Sequence, residues 1–428
     1  MKIGHAETEL EILSEALADN YLFSQFKEHE LVNNYELDKL VLGRRYDSVT
    51  RKHKPFRIDF TQTKMSPHII VLGDTGSGKT VCLSCILSRF IAAGGVASVV
   101  SDIKGQYSRI SEPLQSQYLK YIGTDNNGQL SKPQGLKSRN YYPKFLSDIT
   151  GEKPKNAQLG AFGFSDLTKD DFVTLQGADL TPLQKFLLED AFKKTMESMT
   201  PNIQTFEKTV IEIEEFSKKT KQLLILGARN LIKKNVISDD FEKINFVNDI
   251  QNGLVPVLNT KGMITGGETL NQVRAYCAVI LRQLYSAKIN GNLPKDKPMM
   301  VLIDEIKRIC PPNSECSSKT EIENIAKLSR SANMILLSSA QELGDINEFL
   351  LTQSRYILFP KSYRFDSQKA MMKNMMPEIS EGGNWQQFER NLLDLHRDMK
   401  QYDFILIDRK KSWPDVVHFF MPLFYHQS

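Results

Sequence analysis

The sequence has little cysteine and no long apolar run, and both absences narrow the class of protein. Five cysteines in 428 residues are too few and too irregularly spaced for a disulfide framework. Cys82 and Cys85 have no second pair at the spacing of a zinc site, so we expect both in the core. No apolar run approaches the roughly 18–20 residues that cross a bilayer, and the first residues show no signal-peptide pattern. We therefore expect a cytoplasmic protein with no membrane partner.

The sequence also has almost no net charge. Its 55 basic and 51 acidic residues leave a formal charge of +4. This balance neither predicts nor excludes a locally basic surface for nucleic acid. With 41% hydrophobic residues, the chain has an ordinary globular composition. Its length suits two or three domains, or one large domain with an insertion.

A glycine-rich segment at 73–80 is the most informative part of the sequence. It follows a short apolar stretch typical of a buried strand, and it precedes a stretch with helical spacing. This pattern predicts a P-loop, whose backbone N–H groups and helix N-terminus hold phosphate. Lys79 is expected at the β and γ phosphates and Thr80 at Mg²⁺. The predicted nucleotide-binding residues are Gly73, Asp74, Thr75, Gly76, Ser77, Gly78, Lys79, Thr80 and Val81.

Two adjacent carboxylates end a second buried strand at 299–303. Asp304 is expected to orient the Mg²⁺ shell, and Glu305 to activate the attacking water as a general base. The carboxyl end of a parallel strand is where such sheets bind ligands. A polar amide, Gln341, follows the next predicted strand and is a candidate sensor of the γ-phosphate. Arg330 precedes that strand and is either a surface arginine or a residue that reaches a neighbouring subunit's nucleotide.

The segments around these motifs alternate between strand and helix patterns. A strand at 68–72, a helix at 79–93 and a strand at 96–101 predict a β-α-β unit with parallel strands. Together with the later segments they predict an α/β fold with a mostly parallel sheet and an all-α insertion. Pro256 indicates an edge strand or a bulge in the strand at 254–258. The other elements predicted are strands at 299–303, 333–338, 355–359, 403–407 and 416–420, and a helix at 273–288.

The same patterns divide the chain into four segments. These are a helical arm at 1–40, a first part of the nucleotide-binding core at 41–160, a helical insertion at 161–250, and a second part of the core at 251–428. The arm is either a docking or oligomer contact or a helix packed on its own domain.

Three local patterns within these segments are open to test. Residues 117–160 are rich in loop residues with interleaved basic and aromatic side chains. Thr181 and Gln184 have capping-box spacing, and one apolar face is expected to carry Leu183, Phe186, Leu187 and Ala191. A basic run is either a solvated face or a contact for nucleic acid, and comprises Arg44, Arg45, Arg51, Lys52, His53, Lys54 and Arg57.

Three of these segments together resemble the HerA–FtsK superfamily of ring-forming, DNA-pumping ATPases. The first is the P-loop with His68 ahead of its strand. The second is Asp102-Ile-Lys104-Gly105-Gln106-Tyr107, which is similar to the family pattern D-x-K-G-E-Y. The third is Asp304-Glu305, followed one strand later by Arg330 and by Ala340-Gln341. The resemblance covers about residues 40–420, and the helical stretch after Leu167 also resembles an insertion found in HerA-type and conjugation ATPases.

The resemblance implies a RecA-like core, ATP and Mg²⁺ as cofactors, a homohexameric ring and DNA threaded through it. Lys79, Thr80, Asp304, Glu305 and Gln341 take by resemblance the roles given above. Gln106 stands where the family pattern has Glu, which puts any role of that carboxylate in doubt. Ser329 stands where a Gly commonly precedes the arginine, and the roughly 40 residues ahead of the core are too few for the barrel of HerA.

The predicted function is an ATP-dependent DNA translocase or helicase-type motor. One alternative is an ATPase that scaffolds or regulates a partner nuclease or effector. Another is a motor for conjugation or secretion.

Overall fold

The fold is a single large sheet with helices on both faces. The computed structural model describes residues 34–47, 52–61, 66–176, 180–238, 240–263, 267–361, 389–390, 393–394, 399–400, 403–411 and 414–425. The predicted arm at 1–40 therefore lies outside the described residues, except for 34–40, and so does Arg51 of the basic run. Tyr35 is buried, and the first strand begins at Leu40.

Thirteen strands in the described part of the chain form one sheet. They are β1 (Leu40–Asp47), β2 (Lys52–Ile58), β3 (Ile69–Leu72), β4 (Val96–Asp102), β5 (Ser138–Pro143), β6 (Ala157–Ala161), β7 (Glu242–Lys243), β8 (Val255–Asn259), β9 (Met299–Ile303), β10 (Met334–Ala340), β11 (Tyr356–Pro360), β12 (Asp403–Asp408) and β13 (Asp415–Phe419). Their order is β2-β1-β13-β12-β11-β3-β10-β9-β4-β8-β5-β6-β7. The strands from β11 to β7 in this order are parallel, and β12, β13, β1 and β2 are antiparallel.

The helices within the described residues cover both faces of this sheet. They are α1 (Lys79–Ala92), α2 (Lys144–Thr150), α3 (Lys169–Gln176), α4 (Pro182–Met196), α5 (Ile203–Glu212), α6 (Lys218–Lys233), α7 (Phe246–Gln251), α8 (Gly267–Asn290), α9 (Ile306–Ile309), α10 (Ser317–Ala332) and α11 (Glu348–Gln353). Short 3-10 helices span Ser116–Tyr121, Phe164–Asp166 and Leu343–Asp345. No helix in the described residues is long and apolar enough to span a bilayer.

The sheet separates two hydrophobic cores. One lies on the side of α1 and includes the buried Cys82 and Cys85, as the sequence predicts. The other lies on the side of α8 and α10 and continues into the helices between β6 and β7. All five residues of β9 are buried because both of its faces are covered. Each fully buried aliphatic side chain of this kind contributes roughly 1.5–3 kcal/mol of hydrophobic stabilisation.

His68 joins three of the central strands. Its Nδ1 accepts a hydrogen bond from the Leu336 backbone N–H at 2.9 Å, and its carbonyl accepts one from Tyr356 N–H at 3.1 Å. Full burial lowers the pKa of His68 to about 4. The neutral His68 ring therefore stabilises the contact between β3 and β10 at the start of the strand that precedes the P-loop.

Helices α3 to α6 form a cluster with its own aromatic core. The rings of Phe172 and Phe206 meet edge to face at 4.9 Å between centroids. The cluster is fixed to the sheet domain because Arg282 of α8 pairs with the buried Asp171 at 2.5 Å and with Glu321 of α10 at 3.2 Å.

Two local expectations differ from the structure, and a third is confirmed. Residues 117–160 contain β5, α2 and β6 rather than mostly loop, because these short polar strands pair with partners distant in sequence. Pro256 lies on an internal strand, β8, so its edge assignment is wrong, whereas the β4–β8 ladder does shift register. The capping box of Thr181 and Gln184 is present.

The expected apolar face of α4 is correct for two of its four residues. Leu187 and Ala191 are buried as predicted. Leu183 and Phe186 are 59% and 61% exposed, since the helix turns Leu188 and Phe192 inward instead. These two side chains leave an apolar patch on the helical cluster.

Candidate nucleotide-binding site

The P-loop lies between β3 and α1, at the carboxyl edge of the parallel strands. Gly73, Gly76 and Gly78 have φ angles of 142°, 82° and 92°, in a region that favours glycine. A Cβ on Gly73 would lie 2.6 Å from both Pro360 Cγ and Ser77 Oγ, so a side chain has no room there. The glycines thus permit the sharp turn that leads directly into the first turn of α1.

Lys79 is the first residue of α1 and bends back over the loop. Its Nζ donates hydrogen bonds to the carbonyl oxygens of Gly73 and Asp74, the latter at 2.9 Å. Burial and the nearby Lys104 lower the pKa of the Lys79 amine. A phosphate in the loop offers this amine stronger, charged acceptors than the two carbonyls.

The acidic pair follows β9, two strands from β3 in the sheet. Asp304 is 2% exposed, and its Oδ1 accepts hydrogen bonds from Ser339 Oγ at 2.5 Å and from Glu305 N–H at 3.1 Å. Burial raises the pKa of Asp304. Its Oδ2 and Ser77 Oγ are buried without a hydrogen-bond partner among the described residues. The unpaired Asp304 Oδ2 fits a hard cation such as Mg²⁺, for which Thr80 and Asp304 are the expected ligands.

Glu305 turns the chain sharply after Asp304. Its φ of 50° is in the left-handed region, which is uncommon for a residue other than glycine. Its backbone N–H is held by Ser339 Oγ at 3.0 Å, and its side chain pairs with Lys104 Nζ at 3.3 Å and more distantly with Arg308 at 3.8 Å. This conformation turns the Glu305 carboxylate toward the turn that follows β4.

The turn after β4 completes the site on the side away from β10. Asp102 is buried, and its two carboxylate oxygens accept hydrogen bonds from the backbone N–H groups of Gln106 and Tyr107, each at 2.9 Å. Burial, with a smaller contribution from Asp304, raises the pKa of Asp102 to about 7. Gln106 Oε1 in turn accepts a hydrogen bond from Thr80 Oγ1 at 3.0 Å.

Gln341 is at the same edge of the sheet as the P-loop. It directly follows Ala340, the last residue of β10, whose carbonyl accepts a hydrogen bond from Gly73 N–H at 3.1 Å. Gln341 is exposed. The structure therefore brings Lys79, Thr80, Asp304, Glu305 and Gln341 to one edge, as their positions at strand ends predict.

Arg330 is not part of this assembly. It lies exposed in the last turn of α10, which leads into the amino end of β10. The P-loop follows the carboxyl end of β3, which runs parallel to β10. Arg330 is thus at the opposite edge of the sheet from the nucleotide site of its own chain.

Sequence reasoning missed three contacts of this site. It did not assign Ser339 as the partner of Asp304, Lys104 as the partner of Glu305, or Gln106 as the partner of Thr80. Lys104 and Gln106 were visible as part of a motif, but their partners are determined by strand order. No sequence pattern pointed to Ser339, because a single serine in a buried strand matches no functional motif.

The sheet order, the P-loop and the acidic pair define the chain as a P-loop NTPase with a RecA-like core. The family model described as the central domain of helicase HerA matches residues 42–344. The chain belongs to this family and hence to the HerA–FtsK superfamily of P-loop ATPases, as the sequence predicts. The matched segment includes the P-loop, the turn after β4, the acidic pair, Arg330 and Gln341.

Solved structures with this fold cover nearly the whole chain at low identity. VirB4 of Thermoanaerobacter pseudethanolicus has a TM-score of 0.53 at 11% identity, covering 91% of this chain and 98% of that one. The bacterial conjugative coupling protein TrwBdeltaN70, in its unbound form, has a TM-score of 0.52 at 11% identity, covering 92% and 96%. TrwB in complex with the non-hydrolysable ATP analogue ADPNP has a TM-score of 0.51 at 12% identity, covering 92% and 98%.

These comparisons confirm the predicted RecA-like fold and the class of ATPase. The expected cofactors, ATP and Mg²⁺, agree with membership of this ATPase family. No curated protein sequence matches the chain.

Proposed function

We propose that this chain is the subunit of an ATP-driven DNA translocase, a helicase-type motor that works as a homohexameric ring. The observation that supports this most strongly is the match of residues 42–344 to the central domain of helicase HerA. Every nucleotide-site residue predicted from the sequence lies within that segment, and those at strand ends meet at one edge of the sheet.

The side chains at that edge have different roles in ATP hydrolysis. Lys79 leaves the carbonyls of Gly73 and Asp74 and binds the β and γ phosphates. Thr80 and Asp304 hold Mg²⁺, which neutralises charge on the phosphate oxygens when it is bound. Glu305 orients a water and accepts its proton as general base. Gln341 lies beside the P-loop because the preceding residue, Ala340, accepts the Gly73 N–H. Its amide forms a hydrogen bond to the γ-phosphate when that phosphate is present and loses it after hydrolysis.

The position of Arg330 supports the proposal of a ring. Because Arg330 and the P-loop are at opposite edges of the sheet, any nucleotide that Arg330 contacts is bound by a neighbouring copy. A contact that joins two different surfaces of identical subunits is head-to-tail, and such contacts form a ring when the rotation between subunits closes. In this arrangement Arg330 stabilises charge on the transferring phosphoryl group in trans.

The test combines ATPase rates with particle mass. We expect Mg²⁺–ATP hydrolysis to be stimulated by DNA, and mass photometry to show a species near six copies that loads on DNA. The Glu305→Gln ring is expected to bind ATP and to stay bound to DNA, but not to hydrolyse the ATP. A monomer at all nucleotide and DNA conditions, with a DNA-independent rate, contradicts the motor.

Two other functions have specific support. A motor for conjugation or secretion is supported by the shared fold with VirB4 and TrwB. An ATPase that scaffolds a partner nuclease or effector is supported by the apolar patch of Leu183 and Phe186 on the helical cluster. An ATPase rate that DNA leaves unchanged but a bound partner protein alters favours the scaffold.

A further inference from the structure

The turn after β4 holds its shape without help from the Gln106 side chain. The buried Asp102 carboxylate accepts the backbone N–H groups of Gln106 and Tyr107, and Gly105 adopts a φ of 69°. Ser108 Oγ adds a hydrogen bond to the Gly105 carbonyl at 2.8 Å. The Gln106 side chain is therefore available for a role outside the turn, and the backbone fixes its direction.

That side chain contacts the P-loop helix rather than its own turn. Gln106 Oε1 accepts the hydroxyl proton of Thr80 at 3.0 Å, across 26 residues of sequence. A threonine hydroxyl has one proton and two lone pairs. When its proton is given to a fixed acceptor, its lone pairs remain available to a cation.

We propose that Gln106 is a positioning residue for Mg²⁺, because its amide oxygen takes the Thr80 hydroxyl proton and so fixes the orientation of the Thr80 oxygen. This inference rests on the assignment of Thr80 as a Mg²⁺ ligand in the proposed function. Groups that orient a metal ligand in this way commonly change metal affinity by about 10- to 100-fold when they are removed. Gln106 thus supports the metal site without contacting the metal.

The type of side chain at 106 matters for charge. A carboxylate accepts the same proton, but it adds a negative charge next to Thr80. The amide keeps the geometry and leaves Asp304 as the anionic metal ligand of the site. Gln106→Met keeps a side chain of similar length but removes the acceptor oxygen, whereas Gln106→Glu keeps the oxygen. Comparing the two variants therefore shows whether the acceptor oxygen or the side-chain shape is required.

The test measures binding of a fluorescent ADP analogue, with excess Mg²⁺ and with EDTA, so that turnover plays no part. We expect Gln106→Met to lose about 10-fold or more of the Mg²⁺-dependent affinity while the affinity in EDTA is unchanged. Gln106→Glu is expected to retain Mg²⁺-dependent binding, because its oxygen still accepts the proton. Glu112→Gln, which removes an exposed ion pair with Arg109 just after the turn, is the matched control and is expected to bind as wild type.

Other outcomes overturn the proposal in distinguishable ways. If Gln106→Met weakens binding equally with Mg²⁺ and with EDTA, the side chain supports the fold of the loop instead. If Gln106→Glu is as weak as Gln106→Met, the acceptor oxygen is not the cause. If Thr80→Val keeps the full Mg²⁺ dependence, the assignment of Thr80 to the metal has failed, whatever Gln106 does.

Discussion

Lys104 Nζ lies 3.3 Å from Glu305 Oε1 and joins the turn after β4 to the acidic end of β9. The partner of the proposed general base is therefore a residue more than 200 positions away in the chain. Only 13% of the Glu305 side chain is exposed. The ion pair and this low exposure hold the Glu305 carboxylate at the site.

Glu305→Gln is expected to bind ATP as wild type does and to hydrolyse it at least about 100-fold more slowly, because a general base contributes roughly 10²- to 10⁴-fold. The measurements are steady-state phosphate release and equilibrium binding of a fluorescent ATP analogue. Lys79→Ala serves as the comparison and is expected to lose binding itself. A wild-type rate in Glu305→Gln contradicts its role as base.

Mixing two inactive variants tests whether Arg330 acts between subunits. Lys79→Ala and Arg330→Ala are each expected to be nearly inactive alone. In a mixed ring, an interface that combines Lys79 from one subunit with Arg330 from the next is intact, so ATPase activity should reappear. Activity is followed as the ratio of the two variants changes. No recovery at any ratio, in rings shown to be mixed, contradicts the action in trans.

Acid sensitivity should depend measurably on His68. Its pKa of about 4 in the folded chain is below the ordinary value of 6.5, so the unfolded chain binds the extra proton between these two pH values. The stability that His68 provides is thus complete above about pH 6.5 and is lost as the pH falls toward 4. His68→Asn keeps an acceptor for Leu336 N–H and removes the titration.

Denaturant unfolding of both proteins at about pH 7 and about pH 5 provides the measurement. Wild type is expected to lose about 2 kcal/mol more than His68→Asn over this interval. Equal losses in the two proteins contradict the account, since all other titrating groups are shared.

Arg89 is expected to be important for stability although it lies outside the nucleotide site. Its fully buried guanidinium donates to Tyr35, Ser131 and the Ile122 carbonyl, and it stacks on Phe420. Arg89→Met removes the donor of the Ile122 carbonyl and leaves the buried Tyr35 and Ser131 hydroxyls paired only with each other, so it is expected to lower the unfolding free energy by about 3 kcal/mol. Arg229→Met, which removes an exposed pair with Glu207, is the control and should cost less than about 1 kcal/mol. Similar effects of the two substitutions contradict the prediction.

The parts that sequence predicted best are those encoded by short local patterns. The P-loop, the acidic pair after β9 and the capping box of Thr181 each need only a few adjacent residues. β5 and β6 were missed because β5 pairs with β8, more than 100 residues later, and the loop-like composition around Pro143 conceals it. Likewise, the contact of Thr80 with Gln106 depends on the order of the central strands, β3-β10-β9-β4, which no local pattern encodes.

The two ends of the sheet limit how copies of the chain associate. At one end of the sheet in the described residues, the edge strand β2 exposes Lys54 and Arg57 with Pro55 between them, and at the other end β7 has only two residues. Prolines, cations and very short strands all disfavour the addition of a further strand from another chain. A sheet of this length is therefore protected against growing into a fibre, and assembly is directed to side chains and helix ends instead.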